Sequence, residues 1–293
     1  MTSTETISLR LGDRPVAEYA WQPALPESMS PRPFLHPVRT LGGTEVTESM
    51  PADHLHHLGV SVAVADVGGA NFWGGRTFVP GRGPVHLPNH GTQRHHRWAA
   101  RDASAVHHEL RWIGPAGTDL VRERRRIAAL PISDRAWALD FGFELTNVTG
   151  EPLAFASPAT NGRPGAGYGG FFWRARRGDR RVQVLGPDRT GERRLHGRRT
   201  PWLALTGGAT EPWTLIFVST GPAHRADLWF VRSRDYAGVG SSLAWDQPLV
   251  VGSGTALRRR IITVVADGRL RSREVADIAG RVATAPPDDE WPL

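Results

Sequence analysis

Apolar and polar residues alternate along much of this chain with a period of two, and glycine, proline or aspartate repeatedly cuts the alternation. A period of two places every second side chain on one face of an extended strand. Ile7, Leu9 and Leu11 alternate ahead of a Gly-Asp turn, so residues 7–21 read as two short strands in an opening hairpin. The next stretch carries Pro23, Pro26, Pro31, Pro33 and Pro37, which forbid helix and predict an extended crossing on the surface or at a sheet edge. β-Branched and aromatic residues predict buried strands in HLHHLGVSVAVADV and NFWGGRTFV. Further strands are predicted over 105–113, 120–128, 137–146, 153–157, 171–175, 182–185, 202–205, 213–219 and 256–265. One helix is predicted, over 270–282, where Val275, Ile278, Ala279 and Val282 share a face. The Gly-rich run 162–170 reads as a mobile loop and 284–293 as a loose terminus. Such closely spaced strands predict an all-β protein, a large antiparallel β-sandwich or barrel with few helices, built as a single domain over 1–293.

Composition supports that class, because 33 Gly, 23 Pro and 11 Trp against 3 Met suit short strands joined by turns. The chain has no Cys, which removes disulfides, thiolate metal sites and a Cys nucleophile, and favours an intracellular, cytoplasmic location. Lys is also absent, so all 36 positive charges are Arg and Schiff-base chemistry is excluded. Acid/base work falls to His, Asp, Glu or Tyr. The opening residues lack a signal-peptide order and no apolar run approaches a membrane span, so no membrane partner is expected. The formal charge of +7 comes from arginines scattered among acids, without a nucleic-acid fingerprint, and no nucleic-acid partner is expected. The basic runs at 122–126 and 177–181 read as solvated strand faces or turns.

The densest chemical signal is Asp53, His54, Leu55, His56, His57, just before an apolar strand. If this run is extended, His54 and His56 share one face while Asp53 and His57 share the other. A His-x-His pair suits a divalent metal ion, which is the one cofactor the sequence suggests, or proton transfer near neutral pH. His36 and Arg39 precede the run, Pro37 restrains His36, and Arg39 suits a carboxylate or hydroxyl. His90, His95, His96, His107, His108 and Glu109 are further candidates for a third ligand or for a polar hairpin rim. Asn161, Arg163 and Tyr168 lie among glycines that let backbone approach a ligand, and Arg232 and Tyr236 fall in a second polar and aromatic cluster that reads as an opposite pocket wall or a plain turn. No Gly-x-Ser-x-Gly elbow is present, which leaves a Ser hydrolase without support.

The run HPVRTLGGTEVTESMPADHLHHLGVSVAVADVGGANFW resembles the PmoA-like family, named for methane oxygenase PmoA, as do the later FVRSRDYAGVGSSLAWDQPLVV and VVADGRL. The chain has no membrane span, so the resemblance implies a role other than a membrane oxygenase subunit. It implies a β-sandwich akin to galactose mutarotase, carbohydrate catabolism, and a polar site of His36, Arg39, Asp53, His54, His56 and His57 with Asn71 and Trp73 nearby. Where the family pattern has a Glu-Gly pair, this chain has Asn161 and Gly162, which argues against a Glu-based mechanism.

Together these readings point to an enzyme acting on a small-molecule carbohydrate, a lyase or hydrolase of a sugar or keto-glycoside that uses a His for proton transfer. A mutarotase of the aldose-1-epimerase type and a non-catalytic sugar-binding protein are the alternatives. Enclosed histidines with shifted pKa values favour an enzyme, and a shallow aromatic platform with solvated imidazoles favours a binding module. Exposed sheet edges leave room for a homodimer.

Overall fold

The computed structural model describes residues 3–179, 181–220 and 227–284. In chain order its strands begin with β1 (Glu5–Leu11), β2 (Arg14–Gln22), β3 (Phe34–Val38), β4 (Val60–Val64), β5 (Asp66–Val67), β6 (Thr77–Val79) and β7 (Gly83–Val85). There follow β8 (Thr92–Arg101), β9 (Ala105–Ile113), β10 (Asp119–Ser133), β11 (Ala136–Asn147), β12 (Leu153–Ala156), β13 (Gly169–Ala175) and β14 (Gln183–Leu185). The last are β15 (Trp202–Gly207), β16 (Trp213–Ser219), β17 (Leu228–Arg232), β18 (Ala237–Ser242), β19 (Leu249–Val251) and β20 (Ala256–Asp267). Among the described residues the α-helices are the single turn α1 (Glu192–Leu195) and α2 (Ser272–Ala283).

A seven-stranded sheet in the order β1-β2-β3-β4-β13-β18-β17 packs on an eight-stranded sheet in the order β14-β15-β16-β20-β11-β10-β9-β8. The ladders in both are antiparallel, which makes this the antiparallel β-sandwich that the alternation predicts. Side chains of both inner faces meet in one core that includes Val62, Phe171, Trp173 and Val239 from the first sheet and Trp112, Phe141, Phe217 and Val265 from the second. On the outer face of the eight-stranded sheet α2 packs its Val275, Ala279 and Val282 on Ala138, Ile216 and Val264. Loops and aromatic side chains cover the outer face of the seven-stranded sheet, and the candidate site lies there.

Several sequence expectations need correction. The proline-rich crossing is neither purely extended nor at an edge: Glu27–Met29 forms a 3-10 turn, and β3 lies inside the seven-stranded sheet between β2 and β4. It is tolerated there because the short strand makes few ladder contacts, one of them Leu35 opposite Val60. The NFWGG segment is a loop, and only Thr77–Val79 of that stretch is strand. Residues 285–293 of the expected loose terminus and Arg180 of the second basic run lie outside the described residues.

The first basic run is only half solvated. On β10, Glu123 and Arg125 are two residues apart and therefore share the inward face, where they are 0% and 1% exposed. Arg125 Nε donates to Glu123 Oε1 at 2.6 Å and Nη2 to Oε2 at 3.0 Å, while Trp112 Nε1 donates to Oε2 at 2.8 Å. Nη1 donates to the Tyr19 hydroxyl at 3.2 Å, and that hydroxyl lies 2.8 Å from His108 Nε2. Burial pushes the Tyr19 hydroxyl up to about 12. This network pins β2 of one sheet to β9 and β10 of the other. A buried pair of this kind is costly to break from one side, because the surviving charge has no solvent. Glu123→Gln is expected to lower stability by roughly 3 kcal/mol, read as a shift in urea midpoint; an unchanged midpoint would show that Arg125 does not need its carboxylate.

Candidate functional site

The histidine run is not extended. His54 N bonds Pro51 O at 2.9 Å and His57 N bonds His54 O at 2.9 Å, so the segment makes two consecutive turns. The expected split into His54 with His56 and Asp53 with His57 is thereby overturned, since turns bring the three rings together. His54 stacks on His57 with centroids 4.6 Å apart, His56 meets His57 edge-on at 4.9 Å, and His54 and His56 are 5.9 Å apart.

Arg32 organises this arrangement. It is 1% exposed, and its guanidinium donates to Met29 O, Ser30 O, Trp73 O, His56 O and Ser61 Oγ at 2.8–3.2 Å. No carboxylate is among those partners, and burial lowers its pKa to about 9. One side chain thus ties together the crossing segment, the histidine turns, the Trp73 loop and β4. Asn71, expected to touch substrate, is instead a buried positioning residue: its Oδ1 accepts from Trp73 N and Gly74 N at 2.8 Å. Gly74 and Gly75 follow at positive φ, and a Cβ on Gly75 would stand 2.8 Å from His56 Nδ1.

Arg174 on β13 points to the same face. Its Nη1 lies 3.2 Å from His57 Nδ1, its Nε donates to Glu48 Oε2 at 2.9 Å, and its guanidinium covers the Tyr236 ring at 4.5 Å. The arginine donates, so His57 Nδ1 accepts and its proton sits on Nε2. Asp53 Oδ2 stands 2.9 Å from His54 Nδ1, and these side chains are 58% and 36% exposed, so solvent and solutes reach this pair. The contact with His54 holds the Asp53 carboxyl below its ordinary range. Burial, reinforced by Arg32 and the neighbouring histidines, lowers His56 to about 4; burial also pushes His57 well below its ordinary value, reinforced by His56 and Arg174. Both imidazoles are neutral at pH 7.

An aromatic floor adjoins the imidazoles. His57 contacts Trp73, Phe172 and Tyr236 with centroids 5.1–5.7 Å apart, and Trp73 continues to Tyr168 at 4.5 Å. Tyr168 reaches Phe230 at 5.6 Å, and His196 lies between Phe230 and Trp245 at 5.2 and 4.9 Å. The expected residues His54, His56, His57, Asp53, Trp73, Tyr168, Tyr236 and Arg232 are therefore gathered on one face.

Others are not. His36 shares that sheet face but is held by Thr47 Oγ1 at 3.0 Å and faces Glu45 at 3.8 Å, and Arg39 also faces Glu45 at 3.8 Å. Asn161 donates to Asp66 Oδ2 at 3.2 Å. His95 and His108 belong to the inter-sheet network, 3.0 Å apart through their Nδ1 atoms, and are not a third ligand. Among the described residues no three His, Asp or Glu side chains are placed to hold a metal ion, and the Arg174 guanidinium adds positive charge beside His57. The expected His54 and His56 metal pair does not fit this geometry. Sequence reasoning missed Arg32, Arg174, Phe172, Phe230, His196 and Trp245. Arg174 alone left a sign, as a charge inside the apolar run FFWRA.

Two measurements follow. Arg32→Lys is expected to cost roughly 3 kcal/mol, because one ammonium cannot replace a five-donor fork; a thermal melt equal to wild type would refute the bracing role. For His56 the folded pKa of about 4 lies below the ordinary 6.5, so the unfolded chain binds more protons between these values. Stability should accordingly fall as pH drops from 6.5 toward 4, and His56→Gln should flatten that slope in denaturation curves taken across the window.

No curated protein matches the chain. Among solved structures, one similar chain is a protein from human microbiome assigned as a kojibiose phosphorylase, with TM-score 0.32 and 10% identity over 61% of this chain and 20% of that one. Another is a mutant of the heparan sulfate lyase HepC from Pedobacter heparinus, with TM-score 0.28 and 10% identity over 61% of this chain and 22% of that one. This chain spans about a fifth of the length of each. A family model matches residues 6–280, nearly the whole chain, and the protein belongs to the family of unknown function DUF6807.

Proposed function

We propose that the outer face of the seven-stranded sheet is the active site of a carbohydrate-processing enzyme that moves a proton on a sugar or keto-glycoside. The observation that carries this reading is the meeting of a continuous aromatic floor with a cluster of three imidazoles. Sugars present apolar C–H faces to aromatic rings and hydroxyls to polar rims, so the floor binds and the histidines act.

The roles follow from the group beside each Nδ1 atom. Asp53, 2.9 Å from His54 Nδ1, holds a proton there and leaves the Nε2 lone pair to accept one, so His54 is the general base. Asp53 then steadies the imidazolium that forms. His57 offers its Nε2 proton, with Arg174 behind Nδ1, and as a neutral imidazole donates to oxyanion charge developing on the substrate. In a lyase the base takes a proton beside a carbonyl; in a hydrolase it takes one from water. Both use the same pair. The buried state of His56 and His57 favours an enzyme over a binding module, whose imidazoles would be solvated.

The test is turnover of a panel of glycosides and keto-glycosides, followed by reducing-sugar release and by absorbance of unsaturated products. His54→Gln is expected to lower kcat by about 10²–10⁴-fold, and Trp73→Ala to raise KM with a smaller effect on kcat. Sugar binding by calorimetry without turnover of any substrate would leave a binding protein. Full activity in His54→Gln would remove the assigned base.

A further inference from the structure

Ladder register across three strands shapes the face beside the histidines. Arg174 of β13 sits opposite Gly238 of β18, and Gly238 sits opposite Arg232 of β17. Directly paired residues point to the same side of a sheet, so Arg174 and Arg232 flank a position without a side chain, their Cα atoms about 9–10 Å apart. The next row repeats the device with Phe172, Gly240 and Phe230. Two glycines thus open a trough between an arginine and phenylalanine wall on either side.

Tyr236 lies in this trough. A Cβ on Gly238 would stand 2.9 Å from its ring, so only glycine admits the tyrosine there. Burial raises its hydroxyl far above the ordinary tyrosine value, while Arg232 and Arg174 oppose that rise and Asp235 adds to it. The Arg174 guanidinium covers its ring at 4.5 Å, and the hydroxyl stays protonated as a donor. Arg232 is held in place: Nη1 lies 3.1 and 3.2 Å from the His196 ring nitrogens, Nη2 donates to Gly165 O at 3.3 Å, and the group covers Phe230 at 4.6 Å. Its one printed ion pair is a long one, to Glu192 Oε1 at 3.9 Å, while Glu192 Oε2 accepts from Ser233 N at 2.8 Å and from Ser233 Oγ at 3.2 Å. Tyr168, packed against Trp73 and Phe230, adds a second phenol, whose hydroxyl burial raises and Arg163 and Arg232 lower.

Resting on the carbohydrate reading above, we infer that the sugar is acidic and that its oxyanion, a carboxylate or a sulfate ester, seats between Arg232 and Tyr236 beside the histidines. A planar guanidinium and two phenolic donors match the several acceptor atoms of an oxyanion, and a neutral sugar leaves that donor set half used. The oxyanion anchors the sugar and leaves proton transfer to His54 and His57.

Calorimetry can compare methyl glucuronide, methyl glucoside 6-sulfate and neutral methyl glucoside on the intact chain, at low and at high sodium chloride. At least one acidic sugar is expected to bind about tenfold more tightly than the neutral one, the size of one charge-assisted bond. Salt should weaken the acidic sugar alone, a readout that needs no variant. Arg232→Gln should bring the acidic-to-neutral ratio close to one, and Arg232→Lys should keep part of it. The better of the two acidic sugars identifies the oxyanion. Equal or tighter binding of the neutral sugar overturns the acidic substrate while leaving the carbohydrate reading in place, whereas absence of binding by all three overturns both.

Discussion

A single buried guanidinium holds the candidate site together. Arg32 spends its donors on carbonyls of the crossing segment, the histidine turns and the Trp73 loop, and on the Ser61 hydroxyl of β4. Turns without a sheet ladder have backbone groups in need of partners, and burial makes each missing bond expensive. Arg32 supplies them in one rigid fork. It also leaves a positive charge with no carboxylate partner under a face that reads as a ligand site, which couples the bracing of the loops to the electrostatics of whatever binds above them.

The two sheets treat their outer faces differently. On one, α2 packs through Val275, Ala279 and Val282 over part of the sheet. The other keeps its outer face for loops and aromatics, with Ala63, Phe172 and Phe230 as the strand contribution and Trp73, Tyr168, Tyr236 and Trp245 laid over them. Between the sheets, Arg125 and Glu123 show that the interior also holds a charged pair, satisfied through Tyr19, Gln93 and Trp112. The fold therefore carries two polar networks of different kinds. The inner one is closed, each charge meeting its partner, and the outer one is open, with Asp53 and His54 reachable from solvent.

The same residue type takes different chemistry from its surroundings. Of the three clustered imidazoles, His54 has a carboxylate beside Nδ1 and His57 a guanidinium, the difference on which the proposed acceptor and donor roles rest. His95 and His108 have neither role, because they are built into the contact between β2, β8 and β9. Counting histidines along the chain cannot separate these cases; their neighbours do.

Alternation along the chain was enough to determine an all-β antiparallel sandwich or barrel, most of its strands and the helix that became α2, since period two and period 3.6 are local properties that burial of one face enforces. Local sequence also singled out 53–57 as the densest cluster of candidate residues. It could not determine the shape of that run, because a turn and a strand both accommodate Asp-His-Leu-His-His, and only bonds from His54 to Pro51 and from His57 to His54 chose the turns. Nor could it bring in Arg32 or Arg174, which stand tens of residues or more from the run in sequence and meet the histidines or their loops only through ladder register and packing. Whether an arginine is solvated, as Arg122 is, or buried, as Arg125 is, depends on which face of a strand turns inward, and that was decided by the second sheet.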